Sequence, residues 1–392
     1  MTQQLIDRFD RLVTDLVQPR GPHSAVMRLE VPRLGVAHSA AAGVARADSG
    51  RPARIDDRFH VASVGKTFTA TLITRAAAQG AFGERGVDTS LGDLPTAPRW
   101  LVERVHPSGP TITLRQLLTH TSGLKDAVVD GPRATADEHG PAAGSLVALI
   151  AEDLGADGRG EPGTGWARRR WVTWNPERPD DPDAGMLNWF IASGTAAAPA
   201  AAPGERFHYS DTAYGLLGVL LESATGRRYH ELQRDWILEP LGLRDTYMAY
   251  VDDPGPGARL AEMDVWFGRV PLLSDGYDLS FDWAGGGQVS TVADLCRFLR
   301  AVVDGELQRD GSERLDARWV TPAGTTPPRE AIGLGLFRWI AGRRAVVGHA
   351  GAWGVRVFHD PRTGAYLAGT VNQRDDAHWM ADIFDLVEEA LS

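Results

Sequence analysis

Cysteine is almost absent from this chain: Cys296 stands alone. That excludes an intrachain disulfide and a thiolate metal cluster. The thiol falls in Asp294-Leu295-Cys296-Arg297-Phe298-Leu299, a helical pattern in which a buried structural role is expected. Lysine is nearly as scarce. Lys66 and Lys125 are the only two, so a lysine here is rarely surface decoration. No apolar run approaches the ~18 residues that suggest a membrane-spanning helix, and no membrane partner is expected. Basic charge is also short. The net charge is −10 and is spread along the chain. A nucleic-acid partner is therefore not expected, because polyanion binding needs a basic face that releases counterions. The opening residues Met1-Thr2-Gln3-Gln4-Leu5-Ile6-Asp7-Arg8 lack a basic stretch followed by an apolar one, so a cytoplasmic location is expected.

What remains is ordinary globular material. The 392 residues are 43% hydrophobic and 23% charged, enough for one large domain or two intimate ones. Leu5, Ile6, Phe9, Leu12, Val13, Leu16 and Val17 recur at helical spacing, and Trp379, Met380, Ile383, Phe384, Leu386, Val387 and Leu391 do the same at the other end. Residues 25–31, 34–40, 345–348, 354–358 and 365–371 alternate as strands do. The segment Asp360-Pro361-Arg362-Thr363-Gly364 has the chemistry of a hairpin turn. We expect an α/β fold: an antiparallel sheet built from both chain ends, covered by the terminal helices. A mainly helical domain at 89–280 would be inserted into the unit formed by 1–88 and 281–392. The stretch 155–203 reads as a long loop. Trp166, Trp171 and Trp174 in it suggest a binding rim or plain packing, and the Ala/Pro run 196–203 suggests a surface excursion.

The segment Phe59-His60-Val61-Ala62-Ser63-Val64-Gly65-Lys66 reads as a short strand entering a helix. Ser63 and Lys66 are three residues apart and share one helical face. A serine hydroxyl needs a nearby base before it attacks. A lysine is such a base only if burial or a neighbouring cation destabilises its ammonium. The same spacing also suits a serine at a helix start followed by a solvated lysine. Tyr209, in His208-Tyr209-Ser210-Asp211, stands just ahead of a second helix, where a phenol can relay a proton. His349, in Gly348-His349-Ala350-Gly351-Ala352-Trp353, sits on a strand followed by small residues. The backbone N–H of Ala352 can join that of Ser63 as an oxyanion hole. Taken singly, Tyr209 and His349 are equally core residues.

The ordered set Ser-x-x-Lys at 63–66, Tyr-x-Asp at 209–211 and His-x-Gly at 349–351 resembles the penicillin-recognising serine hydrolases. It is most similar to the branch holding class C β-lactamases, DD-peptidases, family VIII carboxylesterases and D-amino-acid amidases. The segments Thr113 to Leu124, Pro203 to Asp211 and Trp283 to Thr291 strengthen the likeness. The resemblance implies a β-lactamase-like fold, with Ser63 as nucleophile, Lys66 as base in concert with Tyr209, and His349 across the cleft. It implies no metal or cofactor, and a small-molecule ester or amide as substrate. Asp211, Gly351 and Ala352 would border the substrate, and Trp283 and Trp353 would line the pocket or belong to the core.

Three departures matter. Asp211 stands where the family usually has Asn; it only accepts hydrogen bonds, and its charge favours protonated Lys66 or His349. Ala350 lacks the usual threonine hydroxyl. His349 replaces a lysine, which makes it a weaker, pH-dependent cation. These departures favour an intracellular esterase or D-amino-acid-type amidase. A β-lactamase or DD-peptidase, an acyltransferase of secondary metabolism, and a non-catalytic binding module are the alternatives. His120 reads as structural at its turn. Ser122 lacks an elbow motif, and His230 and His378 lack metal-ligand companions. The run Ala284-Gly285-Gly286-Gly287 is not read as a phosphate cradle.

Overall fold

Alternation and periodicity translate directly into a layered structure. The computed structural model describes residues 2–18, 22–137, 141–154, 174–253, 260–308, 310–373 and 379–392. Eight antiparallel strands form the main sheet, in the order Arg51–Pro52, Val36–Arg46, Ser24–Val31, Ala365–Thr370, Val355–Asp360, Arg344–Gly351, Phe337–Ala341 and Arg329–Ile332. The first and last expected strands meet at its centre, where Met27 faces Gly369 and Leu29 faces Leu367. The Asp360–Gly364 turn closes as its composition suggests: Gly364 takes φ +75° and its N–H donates to the Asp360 carbonyl at 2.8 Å. The two outer strands, Arg329–Ile332 and Phe337–Ala341, were not anticipated.

Successive strand residues point to opposite faces. Ala25, Met27, Leu29, Phe358 and Leu367 turn to one side, where helices Thr2–Asp15 and Trp379–Leu391 cover them with Phe9, Val13, Ile383 and Phe384. Each such fully buried side chain contributes about 1.5–3 kcal/mol. Val26, Val357 and Ala368 turn to the other side and join the larger core. That core holds helices Gly65–Ala78, Asp211–Thr225 and Val292–Val303. Cys296 is buried there, and burial pushes its thiol up.

Helix Gly65–Ala78 is enclosed on nearly every side although it carries four threonines. Buried hydroxyls need partners. Thr67 donates to the Gly335 carbonyl at 2.8 Å, while Thr71 and Thr74 donate to carbonyls of their own helix. The Ala/Pro run is no loose excursion. Ala200 N–H donates to the Gly123 carbonyl at 2.9 Å, and the Ala201 carbonyl bonds His106 Nε2 at 3.1 Å. Trp174 stacks on Trp100 at 5.1 Å. Trp166, Trp171 and His378 lie outside the described residues.

Candidate active site

Ser63 occupies a 3-10 turn, Ala62–Val64, between strand Phe59–His60 and helix Gly65–Ala78. A three-stranded sheet, with Gln288–Ser290 at its centre, anchors the strand through the pairs Phe59 with Ser290 and His60 with Val289. Val61 N–H donates to the Gln288 carbonyl at 3.0 Å. Ala62 takes a left-handed φ of +47°, a conformation that costs a non-glycine residue about 1–2 kcal/mol. Two glycine backbones press on this turn. A Cβ at Gly286 would lie 2.3 Å from the Ala62 carbonyl oxygen, and one at Gly351 would lie 2.4 Å from that of Val61. The end of strand Arg344–Gly351 therefore abuts the Ser63 turn, and Ala352 follows it at the surface.

Lys66 is fully buried, and its ammonium has no free donor. It donates to Ser63 Oγ at 3.3 Å, to the Gly285 carbonyl at 2.9 Å and to Asp211 Oδ1. An ammonium has three N–H groups, and all three are used. Asp211 opens helix Asp211–Thr225, whose N-cap Ser210 accepts from Ala213 N–H at 3.1 Å. Negative charge is favoured at that end of a helix. Burial works to lower the Lys66 pKa, but Asp211, with Tyr209 and Asp282 behind it, outweighs it and holds the ammonium well above the ordinary lysine range. The expected destabilised ammonium is thus absent at rest. The charge of Asp211 acts as its sequence position suggested and keeps Lys66 protonated.

Tyr209 lies over this pair, with Lys66 Nζ 5.1 Å from its ring centroid. Burial pushes its phenol up, against the pull of Lys66. Ser63 and Lys66 stand close enough to favour the phenolate, although the buried Tyr209 hydroxyl makes no well-formed hydrogen bond. His120 stacks on Tyr209 at 4.3 Å, and its Nδ1 accepts from Ser210 N–H at 3.1 Å. It fixes the Tyr209 segment from beneath, consistent with the structural reading.

His349 is fully enclosed. Its Nδ1–H donates to the Ala350 carbonyl at 2.9 Å, and its Nε2 has no partner. Burial, then Lys66, pushes its pKa down to about 3, against the backbone hydrogen bond. The pH-dependent cation expected at this position is instead a neutral imidazole, because a second charge beside buried Lys66 is too costly. Its ring resonances should not titrate between about pH 5 and 8, which NMR would check; a midpoint near the ordinary ~6.5 would mean an open, solvated ring.

Trp283 packs on Gly218 and Tyr229 and lines a cavity of about 480 Å³ with Trp174, Val219 and Tyr250. Neither Ser63 nor Tyr209 lines that cavity. The Trp353 carbonyl accepts from Thr370 at 3.2 Å, with the ring packed on the core.

Sequence reasoning missed three titratable groups. Arg329 lies 5.6 Å from the Tyr209 ring, within a box completed by Phe207, Phe337 and Trp339. Asp126 is buried near Asp211, and burial and that charge hold its carboxyl well above the usual range. Asp282 lies under the Ser63 turn. The glycines 285–287 were the available signal for it, since a run without side chains marks a close backbone approach.

The sheet, its covering helices and the Ser–Lys–Tyr arrangement together define a β-lactamase-like fold. The beta-lactamase family model matches residues 9–391, and the chain belongs to the beta-lactamase family. A penicillin-binding protein 4 of Amycolatopsis lactamdurans is 26% identical over 79% of this chain and 66% of its own length. Esterase EstB of Burkholderia gladioli is 30% identical over 52% of this chain and 42% of its own length. The chain thus spans less than two thirds of either relative. Among solved structures, the D-amino acid amidase of Ochrobactrum anthropi superposes with TM-score 0.69 at 20% identity, covering 99% of this chain and 100% of that one. A D-stereospecific amidohydrolase from Streptomyces sp. gives 0.67 at 23% identity, covering 96% and 97%. Among the described residues no helix is long and apolar enough to cross a membrane.

Proposed function

We propose that this protein is a serine hydrolase that opens a small ester or amide through an acyl-enzyme on Ser63. The observation that carries the reading is the 3.3 Å contact between Ser63 Oγ and the fully buried Lys66 ammonium, under the face of Tyr209. Ser63 Oγ attacks the carbonyl. Its proton moves into the Lys66–Tyr209 group and leaves on the departing alcohol or amine. The N–H groups of Ser63 and Ala352 face the developing oxyanion, where each donor is worth about 10²–10³ in rate. Gly351, without a side chain, lets the strand end pack on the Ser63 turn and so brings Ala352 beside it. His349 offers a neutral Nε2 acceptor in place of a cation, and Asp211 fixes Lys66. The cleft lies between the unit 1–88 with 281–392 and the unit 89–280.

The absence of a cation at 349 and of a hydroxyl at 350 favours an esterase or D-amino-acid-type amidase over a β-lactamase. Steady-state rates with p-nitrophenyl butyrate, a D-amino-acid anilide and nitrocefin test this. Turnover of the ester or anilide, with nitrocefin untouched, is the expected result. A kcat/KM for nitrocefin above both would overturn the substrate assignment.

A further inference from the structure

Lys66 and Tyr209, the two groups beside Ser63, hold their protons at rest: the Lys66 ammonium is pinned by Asp211, and the Tyr209 phenol is raised by burial. The Ser63 proton is therefore passed through Lys66 to the carboxylates behind it. Asp282 is placed to set how readily they take it. Its Oδ1 is enclosed and makes no hydrogen bond, an unusual state for a buried carboxylate oxygen. A Cβ built on Gly285 would lie 2.6 Å from Asp282 Oδ1 and 3.6 Å from both Asp211 Oδ1 and Lys66 Nζ. Two carboxylates and one ammonium thus converge on the space left by one missing side chain.

We propose that Asp282 is a positioning residue that acts through Lys66: its charge, set beside Asp211 and Lys66, decides how readily the Lys66–Asp211 pair accepts the proton of Ser63. This inference rests on the acyl-enzyme reading. The groups that face Asp282 are Lys66 from helix Gly65–Ala78 and Asp211 from helix Asp211–Thr225. Tyr209 lies beside Lys66, Asp126 behind Asp211 and Arg329 behind Tyr209, with His349 neutral. Burial, then the Asp211 charge, raises the Asp282 carboxyl to about 7, with Lys66 opposing.

Below that pH Asp282 is neutral, and Asp211, paired with the Lys66 ammonium, is the one carboxylate left to take a proton. Above it, Lys66 keeps the single proton between two ionised carboxylates. As Ser63 Oγ bonds to the carbonyl carbon, its proton passes to Lys66 Nζ, and Lys66 passes one of its own to the carboxylates. The proton returns by the same route to the leaving group as the carbonyl C–O or C–N bond breaks. Only O–H and N–H bonds change within the cluster.

The test is the pH dependence of Ser63 acylation by a fluorophosphonate, followed by intact mass, in wild type, Asp282→Asn and Asp211→Asn. Wild-type acylation should rise about tenfold per pH unit on the acid side and level off above about pH 7. In Asp282→Asn that limb should vanish or move by more than about one pH unit, with acylation at about pH 8 roughly tenfold slower. An unchanged limb in Asp282→Asn, with wild-type Ser63 labelled, overturns the proposal and leaves the acyl-enzyme reading intact. Wild-type protein that is not labelled overturns both.

Thermal stability gives an independent readout. The folded carboxyl pKa lies above its unfolded value. The contribution of Asp282 to stability is therefore fully present below about pH 4 and is lost as pH rises to about 7. Asp282→Asn should gain Tm relative to wild type at about pH 8 and not at about pH 4; an equal shift at both would mark a merely structural role and overturn the proposal. Should the variant not fold, infrared spectra of wild type should lose a protonated-carboxyl band as pH rises through about 7. Its absence also overturns the proposal.

Discussion

Ser63→Ala should abolish the fluorophosphonate adduct and lower ester turnover by at least about 10³-fold, since losing the nucleophile removes the covalent step itself. The fold should survive. Ser63 is only partly buried, and its hydroxyl accepts one bond, from Lys66 at 3.3 Å, which water can replace. Urea denaturation should therefore place the variant within about 1–2 kcal/mol of wild type. The chain offers no rescue by a neighbour. Ser122 is fully buried and its hydroxyl accepts from Leu124 N–H at 3.3 Å, so it has no path to a substrate. Turnover persisting in Ser63→Ala at more than about a tenth of the wild-type rate would mean that the nucleophile is elsewhere. Wild-type protein that binds the anilide and turns over neither it nor the ester would revive the binding-module alternative.

The elements that could be read in advance are those whose information is local. Phe9 and Val13 at one end, and Ile383 and Phe384 at the other, repeat at helical spacing because one face of each helix covers the same side of the sheet. The central strands stand out because both their faces are covered, which keeps Ser24–Val31 and Ala365–Thr370 buried almost without a break. Strands Arg329–Ile332 and Phe337–Ala341 escaped because they are short and polar at one edge, with Arg338 and Trp339 interrupting any pattern. Ser63, Lys66, Tyr209 and His349 were found because each sits in a short motif with its own order along the chain. Their protonation states were not legible. Whether Lys66 is a free base or a pinned ammonium depends on Asp211, 145 residues away, and whether His349 is charged depends on how completely it is enclosed. Asp282 was missed for the same reason. It has no spacing relation to Lys66, and only the glycine run beside it hinted that backbone and charge meet there.

Lys66→Met should cost both activity and stability, and the two losses separate. Acylation should fall by at least about 10³-fold, because the group linking Ser63 to the carboxylates is gone. Stability should fall by roughly 3–5 kcal/mol, because Asp211 is left with an uncompensated charge in a nearly closed site. The lower end applies, since the Asp211 side chain keeps 15% exposure. The double variant Lys66→Met with Asp211→Asn removes both charges, so most of that stability should return while activity does not. pH adds a second signature. The folded Lys66 pKa lies above its unfolded value, so the ion pair stabilises fully below the ordinary lysine range and loses its contribution only as pH rises through the raised value. Lys66 itself should therefore add no pH dependence to the gap through neutral pH, where only Asp282 titrates beside it, and its own contribution should be lost only in strong alkali. Urea midpoints of the three proteins at about pH 7 decide the matter. If the double variant is no more stable than the single one, Asp211 is not the counter-ion that holds Lys66. The ammonium would then be free to deprotonate, and the proton route through Asp282 would have no reason to exist.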